Sequence, residues 1–359
     1  MKLFSFGRKS PPETDKLFRA RRRPLPSAGE MSKPSGYDFF DGDARDPLYD
    51  EMLRDPQVAA CVAVKKSAIL SGGWEITPGG TDPEDEAAAD FARFALSDME
   101  GSVVGMLENV LDATVKGWSL AEMNYKIIEG GPYDGFCSLA SVKSRDPARF
   151  TFIFDDKKGK KVLRDLEGKE YPREKFVIYV NMPRYDSPHG RSDLAAARGA
   201  YRSKRALMHF MNMYFEKYGS PTAKGTYKRS LPAASRDEFM EVLKNLHSQS
   251  AIVIPEDISL ELMQTPRGGE EGLLSAIRFY DKQIAKAILF QTLITDEGAN
   301  TGSYALAKVH LEVMDKTMAK LRRDMEETVM REQVLRPLIE INFRSAACPL
   351  FTLKKEEVS

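Results

Sequence analysis

The stretch from Tyr304 to about Arg336, just before Pro337, reads as one helix of 33 residues. At 1.5 Å per residue it is roughly 50 Å long, well beyond the usual helix length. Leu311, Met314, Met318, Leu321 and Met325 recur at alternating spacings of four and three, a heptad-like seam. Lys320, Arg322, Arg323 and Asp324 put charge on the other faces. A rod of this kind cannot cover its own apolar stripe. It must lie against other long helices or against a neighbouring chain, and the methionines read as packing residues, not as a cofactor box.

Two more long helices precede it. Ser192–Tyr218 is stopped by Gly219 with Pro221 beyond, the usual stop chemistry. Glu271–Ile294 is the second. Between them lies a compact β-α-β segment from Pro221 to Met263, with a helix at Ser235–Ser248 and its best strand at Ala251–Ile254. Pro266-Arg267-Gly268-Gly269 is a turn, and Thr295–Ser303 is small and polar. The first half is different. Asp55 caps a helix whose first turn holds Pro56, with Val58, Val62 and Ile69 on one face and Gly72-Gly73 at its end. Trp74–Thr77 is a short strand, Glu84–Leu96 and Ser102–Lys116 are amphipathic helices, and Leu120–Ile128, Arg149–Phe154 and Lys175–Val180 are rich in strand formers. Residues 46–190 therefore predict an α+β unit with an antiparallel sheet. Residues 1–45, with prolines at 11, 12, 24, 26 and 34 and the run Arg21-Arg22-Arg23, predict a flexible basic arm.

The chain has 359 residues, room for two or three packed units. It is 42% hydrophobic and 30% charged, a foldable composition with no apolar run long enough for a membrane helix. No secretory signal is expected, because the first ten residues lack an apolar core. The 53 basic and 53 acidic residues cancel, yet residues 1–33 hold nine basic against three acidic side chains. A protein that grips duplex DNA non-specifically is usually basic throughout, and this chain is not, which needs an explanation if DNA is the partner. Cys61, Cys137 and Cys348 are scattered, with no C-x-x-C pair. That opposes a disulfide framework or zinc site and suits synthesis in a reducing cytoplasm.

Catalytic motifs are absent from the sequence. There is no G-x-x-x-x-G-K-[ST], H-E-x-x-H or G-x-S-x-G. His189, His209, His247 and His310 lack ligand spacing, and Asp155-Asp156 runs into Lys157-Lys158-Gly159 as a turn between strands. No enzyme activity, cofactor or metal is expected, although catalytic groups recognised by geometry alone leave no such trace.

Several segments resemble the Mu-like tailed-phage (prophage) portal protein family. They are Asp55-Pro56-Gln57-Val58 with Trp74-Glu75-Ile76, then Pro188-His189-Gly190-Arg191-Ser192 leading to Lys204, and Phe215-Glu216-Lys217-Tyr218-Gly219-Ser220-Pro221. Gln291-Thr292-Leu293, Gly302-Ser303-Tyr304-Ala305, Val309-His310 and Leu338-Ile339-Glu340-Ile341-Asn342-Phe343 continue the family's order. Together they span about residues 46–343. The family often carries glycine where this chain has Phe290, and the short stretch after Phe343 implies no large helical crown.

The resemblance implies a phage portal fold: an α+β wing at 46–190, stem helices at 191–218 and 272–294 flanking a β-α-β clip at 219–271, a tunnel loop at 295–303, a spine helix at 304–343 and a short tail at 344–359. It also implies a homo-oligomeric ring, a dodecamer in the family, at the capsid vertex of a virion assembled in the host bacterial cytoplasm. Double-stranded DNA would pass through it during packaging and ejection. Terminase large subunit, head–tail connector proteins and scaffold or capsid proteins would dock on it, with no membrane involved.

The basic candidates for the DNA channel are Arg198, Arg202, Lys204 and Arg205 on the first stem helix and Arg278, Lys282 and Lys286 on the second. Arg198, Arg202 and Arg205 share one helical face, and intersubunit pairing or a solvated face is the competing role. In the tunnel loop, Asp296, Glu297, Gly298, Ala299, Asn300, Thr301, Gly302 and Ser303 form a candidate mobile collar. Glycine gives steric freedom there, and Asn300 and Thr301 offer neutral hydrogen bonds to phosphate. Lys224, Lys228 and Arg229 are candidate partner contacts on the clip. A different structural virion or connector protein, or a metal-dependent nucleic-acid enzyme, remains the alternative.

Overall fold

The computed structural model describes residues 47–155, 160–184, 187–218, 222–227, 232–244, 258–263, 269–290 and 315–354. The basic arm, the tunnel loop with all eight of its candidates, Lys228, Arg229, His247, His310, Leu311, Met314 and the Ala251–Ile254 strand lie outside the described residues. The chain divides into two compact units, one of residues 1–198 with 283–359, the other of residues 199–282.

The first unit opens with α1 (Pro47–Met52) and α2 (Pro56–Leu70). Asp55 caps α2 as expected: its Oδ1 accepts the Gln57 and Val58 amides at 2.9 and 3.2 Å, an arrangement that stabilises a helix by about 1 kcal/mol. The buried positions of α2 are Val58, Cys61, Lys65, Ile69 and Leu70, so its inner face is displaced from the Val58–Val62–Ile69 stripe and includes a lysine. The strand β1 (Trp74–Thr77) follows, then α3 (Pro83–Asp98), α4 (Val103–Val110) and the single turn α5 (Ala113–Lys116).

Next come β2 (Trp118–Ile127), β3 (Cys137–Arg145), β4 (Phe150–Asp155), β5 (Lys160–Asp165), β6 (Glu170–Tyr171) and β7 (Phe176–Val180). They make two antiparallel sheets, ordered β3-β2-β7 and β4-β5-β6. The central sheet is covered on both faces. Trp118, Leu120, Phe176 and Ile178 point to the smaller sheet, where they meet Leu163, Phe150 and Phe152. Ala121, Met123, Val177 and Tyr179 point the other way, into a core built with α3, α4 and the last helix. Burial on both sides is why Phe-Val-Ile-Tyr-Val is apolar without alternation.

The chain then enters α6 (Leu194–Tyr218). The second unit holds most of α6, the antiparallel strand pair β8 (Thr222–Tyr227) and β9 (Ile258–Met263), α7 (Ala233–Lys244) and the first two-thirds of α8 (Gly269–Leu289). α8 ends at Leu289, not at Ile294. Phe290 leaves the helix with φ of 62°, a conformation that cannot continue a right-handed helix.

The last helix, α9, is described over 315–342. Asp324–Leu335 is wound as a π-helix and Arg336–Asn342 as an α-helix. The helix therefore runs through Pro337 instead of ending before it. Proline has no N–H and crowds the preceding turn of an α-helix. The wider π winding, in which the Arg336 N–H reaches back five residues to the Arg331 carbonyl, accommodates it. Met318, Leu321, Met325, Val329, Met330, Val334 and Leu335 are all buried in the core of their own unit, beside Val177, Tyr179, Phe351 and Leu353. The described part of the stripe is thus covered by the chain itself, with its own sheet and shorter helices in place of the long helices or neighbouring chain expected from the sequence. After α9, β10 (Leu350–Leu353) pairs antiparallel with β1, so a segment read as a tail is part of the core.

Candidate functional site

Long helices bearing basic side chains are the natural place to look for contact with a polyanion. α6 and α8 have an apolar side and a charged side, and each carries part of the candidate set. On α6, Arg205 is exposed, with Nη1 3.3 Å from the Tyr201 hydroxyl. Arg202 is half-buried. Arg198 lies over the Tyr49 ring at 5.6 Å from its centroid. On α8, Arg278 and Lys286 are exposed and Lys282 is half-buried. Their spacing of four places them along one side of the helix.

Lys204 does not belong with them. It is buried, and its ammonium sits 2.6 Å from Asp281 Oδ1 on α8. Within the second unit this pair fastens one helix to the other. Its charge alone made Lys204 a candidate; its neighbours Tyr201 and Ala206 are buried with it, which places it on the inner face. Of the partner-contact candidates, Lys224 lies in the paired stretch of β8, opposite Glu261.

The second unit also exposes apolar side chains that the sequence reading did not single out. They are Met208, Met213 and Phe215 on α6, Met240 on α7 and Leu274 and Phe279 on α8. Phe279 is 54% exposed and Met213 48%. Helical periodicity links only two of them: Met208 and Phe215 are seven apart, as are Arg205 and Asn212 beside them.

The Pro188-His189-Gly190-Arg191-Ser192 segment is a structural latch at the root of α6. Gly190 has φ of 58°, and a Cβ there would run into the Asn181 and Gly117 carbonyl oxygens. Asn181 and Arg191 exchange backbone and side-chain bonds at 2.8 Å. Ser192 Oγ donates to the Val115 carbonyl and accepts the Leu194 N–H. His189 stands edge-on to Trp118 and near Phe152, and His209 is exposed beside Phe210.

Among the described residues no group of three or more His, Cys, Asp or Glu is placed to hold a metal ion, and no helix is long and apolar enough to cross a membrane. One buried titratable group, Tyr179, is paired structurally. The Tyr179 hydroxyl donates to Asp324 Oδ2 at 2.9 Å, and burial, with the Asp324 charge, raises its pKa far above the ordinary phenol value.

Residues 47–359 match the sequence profile of the family described as the portal protein of Mu bacteriophage. Among curated proteins, the chain is similar to the Mu-like prophage FluMu protein gp29 of Haemophilus influenzae, 25% identical over 313 residues, covering 81% of this chain and 56% of that protein. It is likewise similar to the portal protein of Escherichia phage Mu, 23% identical over 309 residues, covering 83% of this chain and 57% of that one. The chain thus spans little more than half the length of these relatives. Among solved structures, a chain in the neck of the native gene transfer agent particle, computed with C12 symmetry, superposes with a TM-score of 0.59 at 13% identity. That match covers 88% of this chain and 85% of the other, and shows a shared fold.

Proposed function

This chain belongs to the family of Mu bacteriophage portal proteins, and from that premise we propose that it is one subunit of a closed ring at a capsid vertex, a conduit for double-stranded DNA. The observation that carries this reading is the second unit. Residues 199–282 form a separate body whose helices keep Met208, Met213, Phe215, Leu274 and Phe279 in water. Large apolar side chains left exposed along the helices of one unit favour burial against another surface. Identical copies meeting head to tail supply that surface, and a head-to-tail interface that closes gives a ring. The family's dodecamer is the expected count.

The basic side chains suit a conduit. Duplex DNA carries one charge per ~1.7 Å, and every phosphate neutralised strengthens binding by releasing counterions. A bore lined densely with cations would hold the duplex. Zero net charge over the chain, with a few exposed cations such as Arg205, Arg278 and Lys286, gives weak and interchangeable contacts. Lys282 and Arg202, on the same sides of those helices, are half-buried, and Arg198 lies at the helix root. The segment 219–271, with Lys224, Lys228 and Arg229, is the docking platform for terminase and head–tail connector proteins. Residues 295–303 are the collar around DNA. The role is structural and non-enzymatic, in the virion, with assembly in the bacterial cytoplasm.

Negative-stain imaging and native mass measurement of the purified full chain test the reading. A ring with a central opening, at a multiple of the 40.3 kDa chain mass, is expected. A monomer that stays single at high concentration, with no open centre in any assembly, would overturn it. In an assembled ring, deleting Gly298–Gly302 is expected to spare the ring and impair packaging.

A further inference from the structure

Lys65, on α2, is 3% exposed, a charge almost wholly removed from water. Its Nζ donates to Asp193 Oδ2 at 2.7 Å and to the Ile288 carbonyl at 3.0 Å. The Phe290 ring centroid lies 5.1 Å from the same nitrogen. An ammonium has three hydrogens to place and no water to place them in. A carboxylate, a carbonyl and an aromatic face provide for it.

Asp193 directly precedes α6, and Ile288 lies in the last turn of α8. One ammonium therefore holds both the beginning of the first long helix and the end of the second. Between these points the chain makes its whole excursion through residues 199–282 and returns. Both anchor points lie in the first unit. Asp193 is fixed in turn: Asn181 Nδ2 donates to its Oδ1 at 2.9 Å, and its own N–H donates to the Thr114 carbonyl at 2.8 Å.

The α8 side has a second peculiarity. Phe290 adopts φ of 62° although it has a side chain. Non-glycine residues persist in that region only where surrounding contacts over-determine them. Here the determining contacts are the Phe290 N–H on the Lys286 carbonyl at 3.1 Å and the ring on Lys65. The end of α8 thus depends on where the lysine sits, and the lysine sits where Asp193 holds it.

We propose that Lys65 is a conformational coupler. It makes the order of the α6 root and the order of the α8 end a shared property, so that loosening either connection loosens the other. The coupling is thermodynamic and so must run in both directions. It needs no partner and does not depend on the portal reading; an assembly that failed to form rings would leave it untouched.

Hydrogen exchange on the full chain tests it. Asp193→Asn keeps the size and removes the charge. It is expected to speed exchange about 5-fold or more, the lower end of ordinary coupling, at 193–195 and equally at 286–290. Phe290→Gly relieves the left-handed backbone and removes the ring. It is expected to speed exchange at 193–195, a segment it does not touch. In a Lys65→Met background, adding either change is expected to leave the far segment as it was. An Asp193→Asn effect confined to its own segment overturns the proposal, as does a far effect that survives in Lys65→Met. If Lys65→Met gives no folded chain, the reciprocity of the other two variants decides alone: its presence upholds the coupler and its absence removes it.

Discussion

Gln333, in the π-wound part of α9, closes the open edge of β7 at Ile178. Its Oε1 accepts the Ile178 N–H at 2.8 Å, and its Nε2 donates to the Ile178 carbonyl at 3.0 Å. A side-chain amide thus does what a neighbouring strand would do. The same helix repeats the device on the opposite edge of the sheet. Asn342 Oδ1 accepts the Cys137 N–H and its Nδ2 donates to the Cys137 carbonyl, both at 2.8 Å. Two amides nine residues apart hold one helix to both rims of a three-stranded sheet. They also blunt edges that would otherwise invite another strand.

Gln333→Leu is expected to lower the unfolding free energy by about 1–3 kcal/mol, since two backbone groups that are shielded from water lose their partner. Gln333→Glu should cost more at neutral pH, because the carboxylate would face the Ile178 carbonyl. Urea unfolding monitored by far-UV circular dichroism checks both. Equal midpoints for wild type and Gln333→Leu would mean that water replaces the amide at no cost.

Gly190→Ala is expected to be among the most damaging single changes in the chain. The residue has φ of 58° and lies against the Asn181 and Gly117 carbonyls, so both backbone strain and a steric clash arise together. The affected contacts are backbone atoms that cannot rotate away. Loss of about 3 kcal/mol or more, at the top of the usual range for one substitution, is the outcome to look for, read as soluble yield and melting temperature. Gly168→Ala, at φ of 88° with no atom near its added methyl, separates strain from clash and should cost less.

The β1–β10 pair gives a pH dependence. Glu75 Oε2 lies 2.8 Å from Lys354 Nζ, and the hydrogen bond and charge of Lys354 hold its carboxyl below the usual value of 4.5. A carboxyl depressed on folding stabilises the fold above its unfolded pKa. That contribution goes as pH falls below 4.5 through the folded value. Trp74 stacks on Phe351 across this pair, with centroids 5.8 Å apart, so tryptophan fluorescence reports on it. A transition below pH 4.5 is expected, and Lys354→Met should move its midpoint up toward 4.5.

Much of the first unit was legible because its signals are local. The Asp55-Pro56 cap, the Trp74–Thr77 strand and the Phe176–Val180 strand follow from residues within a few positions. The π winding was written in the sequence as well, in a period that a heptad pattern does not contain. Met325, Met330 and Leu335 are spaced by five, as are Val329, Val334 and Ile339, and all six are buried. Illegible in the sequence were the features fixed by partners far along the chain. Leu350–Leu353 is a strand because β1 offers it an edge, and Lys204 is internal because Asp281 waits across the helix pair. Composition names a lysine as a cation; only the fold says whether it meets a phosphate or a carboxylate.

That distinction between lysines gives the sharpest test of the candidate DNA contacts. Arg278, Lys282 and Lys286 lie along one side of α8, exposed or half-exposed, while Lys204 is 7% exposed at its side chain and paired with Asp281. Replacing the first three together with glutamine is expected to leave the melting temperature and the assembly unchanged. It should flatten the salt dependence of DNA retention, because each phosphate that is no longer neutralised takes about 0.9 from the slope of log affinity against log salt. Lys204→Met should do the reverse. It leaves Asp281 without its cation and is expected to cost about 1–3 kcal/mol, less than a fully buried pair would lose because Asp281 is partly open to water. Its effect on DNA would follow stability alone and leave the salt slope as it was. A Lys204→Met protein of normal stability with a flattened salt slope would return that lysine to the DNA-facing set, and an unchanged slope in the triple variant would remove α8 from it.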